Sequence, residues 1–231
     1  MQLFHGYIKD DRFHLHDHEI NHCVRVLRKQ VGDTIHFITG NGPLYKGHIE
    51  FASKHLVSGN FELIEERFGH FNYDLTVAIA PTKQLDRMEW FVEKAVEMGI
   101  TKIVPILCDH SERRILKPGR LEKIALSATK QSLKGALVSI SPLITFSEFI
   151  ESQTVGYIAH CDLGVKQSFK DQIANQTGPI TIMIGPEGDF SQKEIQLAVE
   201  KGITPVDLGK SRLRTETAAL VAVATLYQKH L

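Results

Sequence analysis

Ile180-Thr181-Ile182-Met183-Ile184-Gly185-Pro186-Glu187-Gly188 and Ile203-Thr204-Pro205-Val206-Asp207-Leu208-Gly209-Lys210-Ser211-Arg212-Leu213-Arg214-Thr215-Glu216-Thr217-Ala218 share one design, a short apolar strand that runs out into a glycine turn. In an open α/β sheet the carboxyl ends of the strands are where ligands bind. Glycine lets the backbone turn sharply and lie close to a ligand, because it has no Cβ to obstruct either. The two strand ends are therefore expected side by side, both delivering such turns. The second stretch adds Arg212, Arg214, Thr215, Glu216 and Thr217, which is more polar chemistry than a packing segment needs. Ser191 with Glu194 three residues on reads as a capping box, opening a helix that Gly202 ends. A last helix is expected over about 216–230.

Upstream, alternation of strand and helix continues back to about residue 73. Strands are expected over 75–80, 103–107 and 155–160. A helix over 84–98 places Leu85, Met88, Val92, Ala95 and Val96 on one face with Gly99 as its stop, and Pro118 opens another helix that runs to about 134. Strands alternating with helices imply a mostly parallel sheet covered on both faces. Residues 1 to about 68 differ: segments 34–38 and 44–49 flank Asn41-Gly42, a strong hairpin signal. One helix over about 17–28 carries Ile20, Val24 and Leu27 at helical spacing, with Asp17 as its expected cap. A small barrel holding one helix is the simplest packing, with a linker near 67–72. The division is thus 1–70 and 71–231.

The chain has 231 residues, and its Lys+Arg and Asp+Glu counts cancel at 27 each. Composition therefore gives no sign of the basic excess that a non-specific nucleic-acid binder shows, although a local basic face is still compatible with it. Three distant cysteines, Cys23, Cys108 and Cys161, argue against a disulfide framework. No segment approaches the roughly 20 apolar residues of a membrane span. Met1 to Gly6 lacks a secretion signal's basic-then-apolar pattern, so a cytoplasmic location is expected.

Neither G-x-G-x-x-G nor G-x-x-x-x-G-K-[ST] occurs, so dinucleotide and P-loop readings lack their fingerprints. Gly185-Pro186-Glu187-Gly188 taken alone is also what a tight strand-to-helix turn needs; its pairing with the second turn favours a ligand pocket. Glu216 fits ordinary dipole complementation and Thr215 an ordinary N-cap. Arg212 and Arg214 fit neither, since a helix N-terminus disfavours cations, and suggest an anionic partner or pairing with Glu216. His14, His16, His18 and His22 invite a metal reading, but a zinc site needs three or four converging ligands and no acidic or cysteine motif accompanies them. A solvated polar face is the default, and no metal is expected. Arg25, Arg28, Lys29, Lys83, Arg87, Arg113 and Arg114 are candidates for a basic RNA surface, against the plain alternative of solvated charge. Trp90 and Phe91 suit the core or a subunit contact.

Gly185-Pro186-Glu187-Gly188, Leu208-Gly209 and Leu213-Arg214-Thr215-Glu216-Thr217-Ala218 together resemble the RsmE family of ribosomal RNA methyltransferases, within the SPOUT superfamily. Other motifs follow in family order: His22 with Val26-Leu27-Arg28; Lys83, Asp86-Arg87-Met88, Lys94 and Glu97-x-Gly99; Glu112-Arg113; and Gln131-Ser132. The resemblance implies an α/β fold, a SPOUT-type trefoil-knotted, mostly parallel sheet domain preceded by a small PUA-like β-barrel. It implies a homodimer, S-adenosylmethionine (SAM) as cofactor, and methylation of a uridine N3 in small-subunit ribosomal RNA. Carried onto this chain, the cofactor site comprises His160, Ile184, Gly185, Pro186, Glu187, Gly188, Leu208, Gly209, Ser211, Arg212, Leu213 and Thr217. Arg214 and Glu216 take the catalytic roles, and Arg25, Arg28, Lys83, Arg87 and Arg113 contact RNA. Asp189 departs from the family's usual glycine, Lys210-Ser211-Arg212 from Pro-Arg-Ile, and Leu133-Lys134 from Gly-Arg. Two alternatives stay open, a SPOUT enzyme acting at another RNA position and a non-catalytic assembly factor that binds RNA. The product of methyl transfer, or its absence, separates them.

Overall fold

The computed structural model describes residues 1–153, 155–162 and 166–231. They form two compact units, Met1–His70 with Leu126–Leu137, and Phe71–Ala125 with Val138–Leu231.

In the first unit β1 (Leu3–Lys9), β2 (Arg12–Leu15), β3 (Thr34–Ile38), β4 (Leu44–Ala52) and β5 (Val57–Glu65) close a barrel in the order β1-β2-β5-β4-β3. Side chains alternate across each strand, and the inward set of Phe4, Phe13, Leu15, Ile35, Phe37, Ile49 and Val57 fills the core. The β3–β4 hairpin turns at Asn41-Gly42, where Gly42 holds φ at +122°, a conformation that glycine alone adopts freely. The helix expected over 17–28 is broken in two. α1 (Asp17–Asn21) passes into a π turn over His22–Val26, and the Lys29 amide then donates to the Cys23 carbonyl. Asp17 does not cap it. His16 occupies the N-cap position and accepts no side-chain hydrogen bond there, so Asp17 lies inside the first turn. Buried Glu19 forms an ion pair with Lys130 of the Leu126–Leu137 segment.

In the second unit β6 (Leu75–Ile79), β7 (Lys102–Leu107), β8 (Ser139–Ile140), β9 (Ile144–Thr145), β10 (Tyr157–Ala159), β11 (Gln167–Ser168), β12 (Ile180–Ile184) and β13 (Thr204–Asp207) make a parallel sheet. Its order is β11-β13-β10-β12-β6-β7-β8, with β9 on the end of β7. The helices are α2 (Leu85–Glu97), α3 (Pro118–Gln131, whose last turns belong to the first unit), α4 (Phe146–Glu151), α5 (Phe169–Ile173), α6 (Gln192–Glu200) and α7 (Thr215–Lys229). α2 buries Met88, Phe91, Val92, Ala95 and Val96, and α7 packs on α2, β6 and β12.

One expectation is corrected by this topology. β12 and β13 are not neighbours; each pairs with β10, which lies between them. The crossover through α6 carries the chain over β10, so the loop after β10 becomes a third wall of whatever the two glycine turns enclose.

Candidate functional site

The carboxyl ends of β10, β12 and β13 open into a cleft of about 660 Å³. Each wall is a short loop held in place by specific bonds. The first is the turn after β12. A Cβ at Gly185 would lie 3.0 Å from Phe190 Cδ2, and one at Gly188 would lie 3.0 Å from His110 Cβ, so both glycines answer close approach. The His110 Nδ1 lies 3.0 Å from the Gly188 carbonyl and 3.1 Å from that of Asp189, which requires this nitrogen to carry the proton and donate. The capping box expected at Ser191 is present, with Ser191 Oγ accepting from the Glu194 amide and the Glu194 carboxylate accepting from the Ser191 amide.

The second wall runs from Leu208 into α7. Gly209 takes φ +111°, and the Thr215 hydroxyl donates to the Gly185 carbonyl at 3.0 Å, joining this wall to the first. Arg214 stands at the N-cap of α7 without a capping bond. The third wall is the loop after β10. Here Asp189, at φ +63°, accepts the Cys161 amide at 2.6 Å and the Phe190 amide at 2.8 Å. Residues 163–165 of this loop lie outside the described residues.

Of the residues read as cofactor-binding, all but Thr217 line the cleft, and Arg214 lines it too. Glu216 and Thr217 are not on its wall. Buried Glu216 faces Arg87 instead, its Oε1 3.8 Å from the Arg87 Nε. Thr215 and Ala218 are the α7 residues that reach the cleft, and Ala159, Cys161, Asp162, Asp189, Phe190 and Gln192 complete it. Helical periodicity offered a signal for Ala218, which stands one turn above Arg214 and donates its amide to the Arg214 carbonyl.

Three polar atoms here have no partner among the described residues. They are both ring nitrogens of His160 and the Oε2 of Glu187, all buried. Burial, and then the neighbouring Lys166 ammonium, lower the His160 pKa below its ordinary value, so the imidazole is neutral at pH 7. Buried polar atoms without partners are costly, and their usual resolution is a ligand or water. The other Glu187 oxygen accepts the Lys83 amide at 3.0 Å.

The basic residues sort into two groups. Arg25 and Arg28 are exposed, with Arg28 at φ +54° just past the π turn. Lys83 pairs with Glu112 at 2.7 Å, and the Arg113 guanidinium donates to the Thr82 and Lys83 carbonyls at 3.0 and 2.7 Å. Arg113 thus braces the loop after β6.

Residues 70–227 match the model of an RNA methyltransferase domain and residues 15–62 that of an RNA methyltransferase PUA domain. The ribosomal RNA small subunit methyltransferase E of Synechocystis sp. is 30% identical over 90% of this chain and 70% of that protein. A "probable rRNA-methyltransferase" from Porphyromonas gingivalis superposes with a TM-score of 0.88 at 39% identity, covering 100% of this chain and 98% of the other. The methyltransferase E of Neisseria gonorrhoeae, solved bound to S-adenosyl methionine, gives 0.80 at 27% identity over 99% and 97% of the two chains.

Proposed function

The chain belongs to the ribosomal RNA small subunit methyltransferase E family, and from that premise we propose that it methylates N3 of a uridine in small-subunit ribosomal RNA, with SAM as methyl donor. The observation that carries this reading is the three-walled cleft, which both glycine turns line and whose unpartnered buried atoms are those of His160 and Glu187. SAM suits such a site. Its adenine edge, ribose hydroxyls and amino-carboxylate need donors and acceptors on several sides, and the glycine turns expose peptide groups that supply both. Ile184 to Gly188 and Leu208 to Leu213 would hold it, with His160 and Glu187 contributing polar edges.

Bound SAM supplies a methyl group on a sulfonium, ready for in-line transfer. The chain's own residues must then position a uracil ring and manage its N3 proton. Arg214 faces the cleft from the start of α7 and is the cation that stabilises charge developing on the uracil carbonyl oxygens. Glu216 acts behind it as a positioning residue, fixing Arg87 at the foot of α7. The target base has to leave its stack or its pair to enter the cleft. Arg25 and Arg28, exposed on the barrel unit, hold RNA phosphates without reading sequence.

A homodimer and a cytoplasmic location belong to the same proposal. Trp90, 44% exposed on α2, supports the first, as a large ring that a subunit contact would cover. No described helix is long and apolar enough to cross a membrane.

The test is methyl transfer from labelled SAM to small ribosomal subunits lacking their base methylations, followed by nucleoside mass spectrometry. N3-methyluridine is the expected product. A different methylated nucleoside would move the activity to another position, and SAM binding without transfer would favour the assembly-factor alternative.

A further inference from the structure

The barrel carries a feature that methyl transfer does not use. His5 and Tyr7 alternate on β1 and His14 lies on β2, so these three should share one face, and His16 at the N-cap of α1 and His18 within it extend the row. The register bears this out. Tyr7 pairs with His14, while the flanking pairs Gly6–Leu15 and Ile8–Phe13 bring Leu15 and Phe13 to the core. The rings touch in sequence across that face. Tyr7 and His14 stack at 5.1 Å and 15°, Tyr7 and His16 lie 5.2 Å apart, His16 and His5 4.4 Å, and His16 and His18 stack at 5.7 Å and 11°. Tyr7 is 41% exposed and the His18 side chain 54%.

Resting on the RNA-methyltransferase reading, we propose that this face is a stacking platform for unpaired nucleobases of the RNA substrate, with Tyr7, His14, His16 and His18 as its rings and His5 as its base. The arrangement has a local cost. His5 Nδ1 is buried with no partner among the described residues. Burial, with His16, His18 and Lys130 nearby, lowers the His5 pKa to about 4, and burial followed by His18 lowers that of His16. Both imidazoles are neutral at physiological pH and offer π faces rather than charge.

Geometry separates this occupant from others. A metal needs ring nitrogens converging edge-on in the ring planes, whereas His16 and His18 face one another. Among the described residues no group of three His, Cys, Asp or Glu side chains is placed to hold a metal. The face is made of flat rings with polar edges. Flat rings with polar edges match unstacked bases, which lie on aromatic side chains and hydrogen-bond at their rims.

The test uses the full chain and a short single-stranded oligoribonucleotide carrying 2-aminopurine, against the same oligonucleotide with abasic sites. Tyr7→Ala and His16→Ala should each weaken binding to the base-bearing strand by about 5- to 100-fold and reduce 2-aminopurine quenching. Tyr7→Phe should bind as the wild type does, and SAM affinity and thermal midpoint should stay unchanged in all three. Wild-type preference for the base-bearing over the abasic strand should disappear in the Tyr7→Ala/His16→Ala double variant. The platform is overturned if Tyr7→Ala and His16→Ala bind like the wild type, if Tyr7→Phe is as weak as Tyr7→Ala, or if abasic RNA binds equally well. Zinc uptake by the wild type that the variants lose would make the cluster a metal site instead. Normal RNA binding by variants that fail to capture a ribosomal protein would make it a protein contact. If the wild type neither binds RNA nor transfers methyl, the function itself falls; if it does both and the variants match it, only the platform falls.

Discussion

Replacing Asp189 tests how the cleft is held open. Its carboxylate accepts two amides, Cys161 at 2.6 Å across the cleft and Phe190 at 2.8 Å beside it, and the Asp189 amide donates to the Pro186 carbonyl at 2.9 Å. Of these three bonds only the Cys161 one joins separate walls. A hydrogen bond to a charged group contributes about 1.5–3 kcal/mol. Asp189 also sits at φ +63°, where a residue with a Cβ is strained by about 1 kcal/mol relative to glycine. Asp189→Ala removes the latch and keeps the strain; Asp189→Gly removes the latch and releases the strain; Asp189→Asn keeps an acceptor and tolerates the backbone. The third wall is then tied to the first by Gln192 Nε2 donating to Asp162 Oδ2 at 2.8 Å, and the cofactor must supply the rest of its order. SAM affinity, measured by calorimetry, should fall about tenfold in Asp189→Gly, the lower end of the latch's value. Asp189→Asn should lie between that variant and the wild type. The thermal midpoint of Asp189→Ala should lie below that of Asp189→Gly by the strain difference. Wild-type SAM affinity in both Asp189→Ala and Asp189→Gly would show that the Cys161 contact holds nothing the cofactor needs, and the latch argument would be wrong.

Arg214→Ala should lower the methyl-transfer rate by about 100- to 1,000-fold, with SAM affinity within about twofold of the wild type, because its charge acts on the developing uracilate; single-turnover transfer and calorimetry check the two halves. Thr215→Val should destabilise the fold by about 1–3 kcal/mol, since it leaves the buried Gly185 carbonyl without its donor, and a denaturant midpoint reads this directly. Acidification should weaken the barrel unit through His5, whose folded pKa of about 4 lies below its unfolded value of 6.5. Between those values the unfolded chain binds more protons, so stability is full above pH 6.5 and is lost as pH falls towards 4. His5→Gln should flatten that slope in thermal melts taken across the window.

The strands and helices around the cleft were legible because their periodicity is strong and their ends carry glycine, proline or a capping box. The strand expected over 180–184 and the helices expected over 84–98 and 216–230 are found at Ile180–Ile184, Leu85–Glu97 and Thr215–Lys229. Two-residue strands such as Gln167–Ser168 and Ser139–Ile140 leave no periodic trace, since period two needs several residues to declare itself. The placement of β10 between β12 and β13 was equally hidden, because sheet order depends on where crossovers land and no local pattern records that. The π turn at His22–Val26 has Ile20, Val24 and Leu27 at ordinary helical spacing, and the break shows only where Arg28 must take positive φ. Within the cleft, Gly185 and Gly188 are close-approach positions, to Phe190 and His110, and Gly209 answers a positive φ instead. Polarity singled out Glu216 and Thr217, which lie off the cleft wall, because polarity alone does not say which way a helical side chain turns.

The cleft's construction explains why so short a signature identifies it. Its walls are short loops, whose peptide groups are the same whatever side chain they carry. What the sequence must keep are the residues that let loops approach, Gly185 and Gly188, the one that takes a positive φ, Gly209, and those that tie the loops together, such as Thr215 to Gly185 and His110 to Gly188. Elsewhere a core position asks only for an apolar side chain of about the right volume. That is how a chain 27% identical to this one superposes with a TM-score of 0.80. It also makes Asp189 informative. At a turn where φ is positive and a glycine would be unstrained, this chain carries an aspartate, and the carboxylate makes a bond between walls that glycine cannot make. The bond, about 1.5–3 kcal/mol, outweighs a strain of about 1 kcal/mol, and its effect should appear in how firmly the third wall meets the cofactor.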